Sequence, residues 1–147
     1  MARELLLIAL VAACSRDRPA PSDQATQPAS SAPPLASKAF YRVDAGPEVA
    51  CASGATCEAR VVLTALGDYH INQDYPFKFV GAPAPALALD GDAAFALTDA
   101  KHGTLTVRFT PTAAGAQTLA GVFKLSVCSD DTCEIETPTL ELTVPVS

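Results

Sequence analysis

Two pairs of cysteines, Cys51-Ala-Ser-Gly-Ala-Thr-Cys57 and Cys128-Ser-Asp-Asp-Thr-Cys133, are the residues best equipped for chemistry in this 147-residue chain. Cysteines separated by a short polar run can form a structural staple, a dithiol that shuttles electrons, or half of a metal site. Four cysteines allow three pairings, and spacing alone does not choose among them. Local pairing is the simplest expectation, because both intervening loops are short and turn-like. The metal reading is the weakest. His70 and His102 could add ligands, but the five-residue gap between Cys51 and Cys57 exceeds the usual zinc spacing. Asp90-Gly91-Asp92 lacks the remaining oxygen ligands of a calcium loop, and Ser126 and Ser129 stand at no spacing from the histidines that points to a hydrolase. No metal and no cofactor are expected.

The C-terminal pair lies within the strongest local pattern in the chain. Gly121–Cys128 and Cys133–Val144 read as two alternating strands folded about a polar turn. Ser129–Thr132 is a four-residue connection, a common hairpin length. Cys128 and Cys133 then face each other across the first rung, about 4.5–5.5 Å apart at Cα, within the disulfide range of about 4.4–6.8 Å. A bridge there closes a loop that the turn already closes, so it is expected to add little stability and to open without unfolding the domain. Asp130, Asp131, Glu134 and Glu136 crowd the hairpin. Negative neighbours disfavour a thiolate and push the equilibrium toward the bridge. That suits a reductant or a permanent staple and argues against an oxidant. Cys51 and Cys57 are expected to form a structural disulfide at the start of the domain, contributing about 2–3 kcal/mol.

The elements that must position these pairs are strands. Ala59, Val61, Leu63 and Ala65 alternate with polar residues over Glu58–Leu66, and Leu105, Val107 and Phe109 do so over Thr104–Thr110, the two-residue period of half-buried strands. Phe40–Val43 and Tyr75–Val80 are shorter candidates. Ala86–Leu89 and Ala93–Leu97 flank the turn signal Asp90-Gly91-Asp92. No amphipathic helix of useful length is present. About seven to eight short antiparallel strands over residues 38–147 predict an all-β, immunoglobulin-like sandwich, with no tryptophan to fill the usual buried position.

The N-terminal residues carry a different signal. Leu5–Ala13 is an apolar run too short to cross a bilayer, which takes about 20 residues, and it suits the apolar core of a secretory signal. Val11-Ala12-Ala13-Cys14 resembles the lipobox of bacterial lipoproteins. The resemblance implies cleavage before Cys14 and lipidation of its thiol, leaving four cysteines to pair. Residues 14–37 follow as the anchor cysteine and a linker rich in Pro, Ser and Ala, unable to bury enough surface to offset its ordering entropy. The expected location is the bacterial envelope, lipid-anchored and facing the periplasm. Ser15 in place of an aspartate favours the outer membrane by the same resemblance. Residues 38–147 hold 7 basic and 13 acidic side chains and carry the whole net charge of −6. That sign argues against nucleic acid as a partner and leaves membrane attachment to the lipid.

Gly67-Asp-Tyr69-His70-Ile71-Asn72 resembles the Gly-Tyr/Trp-His-Ile-Asn stretch of the N-terminal periplasmic domain of the thiol:disulfide interchange protein DsbD. Tyr75-Pro76-Phe77-Lys78, Ala114-Gly115, Gly121-Val122 and the Cys128/Cys133 hairpin follow in that family's order. The resemblance implies an immunoglobulin-like sandwich whose paired cysteines alternate between dithiol and disulfide. Cys128 and Cys133 match the redox pair, and Tyr69, His70 and Asn72 match a motif expected to be structural. The chain departs from the family in Leu125-Ser-Val-Cys128, in Cys133-Glu-Ile-Glu-Thr-Pro138 and in its shorter cysteine spacing, and Cys51 and Cys57 lie outside the match. With no electron-donor module alongside the sandwich, a reductant would act in trans. Two readings stand: thiol–disulfide exchange with a periplasmic, thioredoxin-like partner, or a non-redox structural or protein-binding lipoprotein with two inert disulfides.

Overall fold

The computed structural model of the chain describes residues 32–147. The apolar run 5–13, Cys14 and most of the linker lie outside the described residues.

Among the described residues, eleven strand segments build two antiparallel sheets. The first is ordered β1 (Ala36–Lys38), β2 (Tyr41–Ala45), β3 (Cys57–Ala65), β8 (His102–Pro111), with β6 (Leu87–Leu89) and β7 (Ala94–Leu97) both on the far edge of β8. The second is organised by β9 (Gly115–Cys128). One edge of β9 pairs with β4 (His70–Ile71) and β5 (Lys78–Gly81), the other with β10 (Cys133–Glu136) and β11 (Thr139–Val146). This is the strand order of an immunoglobulin-like sandwich. The segments outnumber the seven to eight expected strands because three lines are each broken in two. Strands β4 and β5 are parted by the Asn72–Phe77 turn, β6 and β7 by Asp90–Ala93, and β10 and β11 by Thr137-Pro138. The first strand takes in Ala36 and Ser37, residues that composition groups with the linker.

Alternation places the core where the sequence predicts it. Ala59, Val61, Leu63 and Ala65 of β3 and Leu105, Val107 and Phe109 of β8 turn inward, against Leu119, Phe123, Leu125 and Val127 of β9 and Leu140, Val144 and Val146 of β11. Phe109 and Phe123 are wholly buried, and each such side chain contributes about 1.5–3 kcal/mol of hydrophobic stabilisation. Gly121 admits the ring of Phe79 from the neighbouring strand: a Cβ there would stand 2.3 Å from Phe79 Cζ and 2.6 Å from the Val80 carbonyl oxygen. The turn signal at Asp90-Gly91-Asp92 does not reverse the chain. Strands β6 and β7 stay on the same edge of β8, so the segment bulges outward between them. The Asp90 N–H donates to Arg108 O at 2.9 Å, and Thr110 Oγ1 donates to Asp90 Oδ2 at 2.7 Å.

Candidate functional site

Cys128 ends β9 and Cys133 begins β10, in direct register and disulfide-bonded, with Cα atoms 4.0 Å apart. The turn closes itself. Ser129 N–H donates to Thr132 O at 2.8 Å, and Ser129 Oγ accepts the N–H groups of Asp131 and Thr132 at 3.3 Å each. Antiparallel rungs alternate between hydrogen-bonded and close, non-bonded pairs. The Ser129–Thr132 rung is bonded, so the next one brings the two cysteine side chains together.

Alternation along β9 then decides which way the disulfide faces. Leu125 and Val127 point into the sandwich, so Cys128, Ser126 and Lys124 point out of it. Cys128 is nevertheless only 7% exposed, whereas Cys133 is open to solvent. Cys128 is shielded by neighbours on its own face, since it is not a member of the core cluster. His70 pairs with Cys128 from the other edge of β9, giving an outer row His70–Cys128–Cys133. The next row holds Ser126, buried, between Asn72 and Ile135. Asn72 donates through its N–H to Ser126 O at 3.1 Å and through Nδ2 to Ser126 Oγ at 3.4 Å.

The acidic crowd around the hairpin is smaller than its sequence implies. Glu134 and Glu136 stand opposite Val127 and Leu125, on the inner face, and not beside the disulfide. Glu136 Oε1 accepts from Lys38 Nζ of the other sheet at 2.6 Å. Burial, followed by the charge of Glu136, pushes the Tyr41 phenol above its ordinary 10.0. Only Asp130 and Asp131 remain near the bridge, exposed in the turn. The electrostatic case against a thiolate is therefore weaker than four carboxylates would make it.

The other cysteine pair is built differently. Cys51 and Cys57 are disulfide-bonded with Cα atoms 5.4 Å apart, and both are buried in the core. Their loop clasps the far end of the sandwich. Ser147 N–H donates to Cys51 O at 2.9 Å, Ser53 N–H to Ser147 O at 3.0 Å and Gly54 N–H to Pro111 O at 2.7 Å.

The remaining sequence candidates serve the scaffold. Tyr69 packs against Phe40 in a tilted pair, ring centroids 5.2 Å apart, and its carbonyl accepts from Lys101 Nζ. Ile71 is wholly buried. His102, the first residue of β8, has Nδ1 2.9 Å from Asp99 Oδ1 of the preceding exposed turn. The Lys101 N–H, and after it the His102 side chain, holds the Asp99 carboxyl below its ordinary 3.8. No group of three or more His, Cys, Asp or Glu among the described residues is arranged to hold a metal ion. Sequence reasoning missed two placements, His70 beside Cys128 and Lys78 opposite Lys124. Both follow from how β4 and β5 register on β9, more than 40 residues along the chain.

No family model matches the chain, and no curated protein matches it.

Proposed function

We propose that this protein is a lipid-anchored envelope protein that exchanges thiol and disulfide with an extracytoplasmic protein partner through Cys128 and Cys133. One observation carries the reading. The bridge spans the mouth of a turn that is closed by its own hydrogen bonds, on the outer face of the sheet, with one of its residues exposed. Opening it leaves every inward-facing side chain in place. A thiolate of a partner dithiol attacks Cys133 Sγ, the Cys133–Cys128 bond breaks, and Cys128 leaves as the thiolate. The partner's second thiolate then attacks the partner sulfur of the mixed disulfide and releases Cys133. Two electrons have moved from the partner to this protein, and the reverse sequence passes them to an oxidised target. The anchoring half of the reading rests on the lipobox-like Val11–Cys14.

The second reading is a non-redox structural or protein-binding lipoprotein with two inert disulfides, favoured by the shielding of Cys128. One titration separates the two. The oxidised protein is equilibrated in graded thiol–disulfide buffers, alkylated, and read by mass spectrometry and circular dichroism. Exchange predicts that Cys128–Cys133 opens before Cys51–Cys57 with the β spectrum intact. A hairpin bridge that stays closed below about −300 mV, where structural disulfides lie, establishes the inert staple instead. For the anchor, Cys14→Ala should abolish acylation and leave the protein unprocessed or soluble. Retention of that variant after a high-salt wash, with its processed mass unchanged, overturns the lipid reading.

A further inference from the structure

We infer that the outer face of the second sheet, from Cys133 past Ile135 to the facing pair Lys78 and Lys124, is the docking surface for a protein partner whose reactive thiol is flanked by carboxylates. The inference rests on the exchange reading above and names the chemistry of the partner.

The argument starts from the basic side chains. The described domain has seven lysines and arginines after residue 37. Lys38, Arg42, Arg60 and Arg108 each pair with a carboxylate. Lys101 donates to the carbonyls of Gly67 and Tyr69. Lys78 and Lys124 alone have neither an ion pair nor a side-chain hydrogen bond among the described residues. They are also directly opposite each other on β5 and β9, both exposed on the outer face. Like charges facing across an antiparallel rung destabilise a sheet. In a domain with thirteen acidic residues to choose from, an unrelieved lysine pair is a place where an external carboxylate lowers the energy.

The same face supplies the rest of an interface. Rows repeat every two residues, so the lysine row lies about 13 Å from the disulfide row along β9. Between the two rows Ile135 is 64% exposed, and beyond the lysines Val80 is 46% exposed with Val122 beside it. The order along the face is thus disulfide, apolar residue, two cations, apolar residues. Charges that steer the encounter and a few apolar contacts around the reacting sulfurs suit a brief redox collision, which needs little area. An anionic membrane presents charge to the whole acidic domain, whereas carboxylates flanking a single thiol need meet only the lysine pair, so the protein partner is the better match.

The test uses the full-length oxidised protein and synthetic probes. The first probe is a peptide with one cysteine flanked by glutamates, the second the same peptide with glutamines, and the third the acidic peptide with serine for cysteine. Peptide anisotropy with the serine probe reads docking without chemistry, and mixed-disulfide formation with the two thiol probes reads exchange. Docking predicts that the acidic thiol reacts about tenfold faster than the neutral one at low salt, and that the preference disappears in Lys78→Gln/Lys124→Gln. Reaction with a small uncharged thiol should be unchanged in that variant. The serine probe should bind the parent protein and not the variant. Equal rates for both thiol peptides, with no binding of the serine probe, overturn the docking surface while leaving exchange standing. Lysine-dependent binding of the serine probe with no reaction of any thiol supports the surface and overturns exchange. Lysine-dependent binding to phosphatidylglycerol vesicles, with none to the acidic peptides, assigns the pair to lipid and overturns the protein partner.

Discussion

Removing the two disulfides one at a time should separate the core staple from the surface bridge. The loops are nearly equal, with sequence separations of 6 and 5, so chain entropy contributes about 2 kcal/mol in each case. The difference must come from what surrounds the sulfurs. Cys51 and Cys57 are 7% and 4% exposed inside the core cluster. Replacing both with alanine removes two buried sulfur atoms, about 1 kcal/mol apiece. The loop they hold also makes three backbone hydrogen bonds to Ser147 and Pro111, each worth about 0.5–1.5 kcal/mol if the loop frays. Cys51→Ala/Cys57→Ala is therefore expected to lose about 4–6 kcal/mol, a large part of a stability that is typically 5–15 kcal/mol. In Cys128→Ala/Cys133→Ala only one sulfur is shielded and the turn keeps its own bonds, so the loss is expected to be no more than about 2–3 kcal/mol, and smaller to the extent that the closed turn already restricts the unfolded loop. The chain has no tryptophan, so urea unfolding is followed by far-ultraviolet circular dichroism with tyrosine fluorescence as the second probe. Equal losses in the two variants, or the larger loss in the hairpin variant, would refute the assignment of Cys51–Cys57 as the staple.

Three further substitutions test packing, backbone conformation and titration. Gly121→Ala forces a methyl group onto Phe79 and the Val80 carbonyl and should cost about 1–3 kcal/mol from overpacking. Gly54→Ala meets open space but keeps a φ of +78° and should cost about 1–2 kcal/mol; urea midpoints of the two variants measure both. Because the folded Tyr41 phenol is held above 10.0, its stabilisation is complete below pH 10 and is lost as pH rises through the folded value. Tyr41→Phe should flatten that alkaline loss of stability, and a slope unchanged from the parent in urea midpoints measured above pH 10 would place its cause elsewhere.

The readings that held in the sequence are those set by neighbours along the chain. Leu105, Val107 and Phe109 turn inward together because a strand repeats every two residues, and no distant partner is needed to see it. The facing of Cys128 and Cys133 was equally legible, since a four-residue turn fixes the register of its own strands. The inward position of Glu134 and Glu136 was implied by the same alternation, once Cys133 is set outward, and composition concealed it by counting charges without assigning faces. What only the tertiary structure decided is which strands lie side by side. His70 reaches the rung of Cys128 and Lys78 the rung of Lys124 because β9 accepts β4 and β5 along a free edge. Likewise, only the structure shows that β6 and β7 share one edge of β8, with the turn signal Asp90-Gly91-Asp92 bulging outward between them. Backbone hydrogen bonds of a sheet are the same for every residue pair, so sequence carries little record of a remote partner. The pairing is settled by the whole of the buried surface at once, and the outer row of His70, Cys128 and Cys133 exists only after that choice is made.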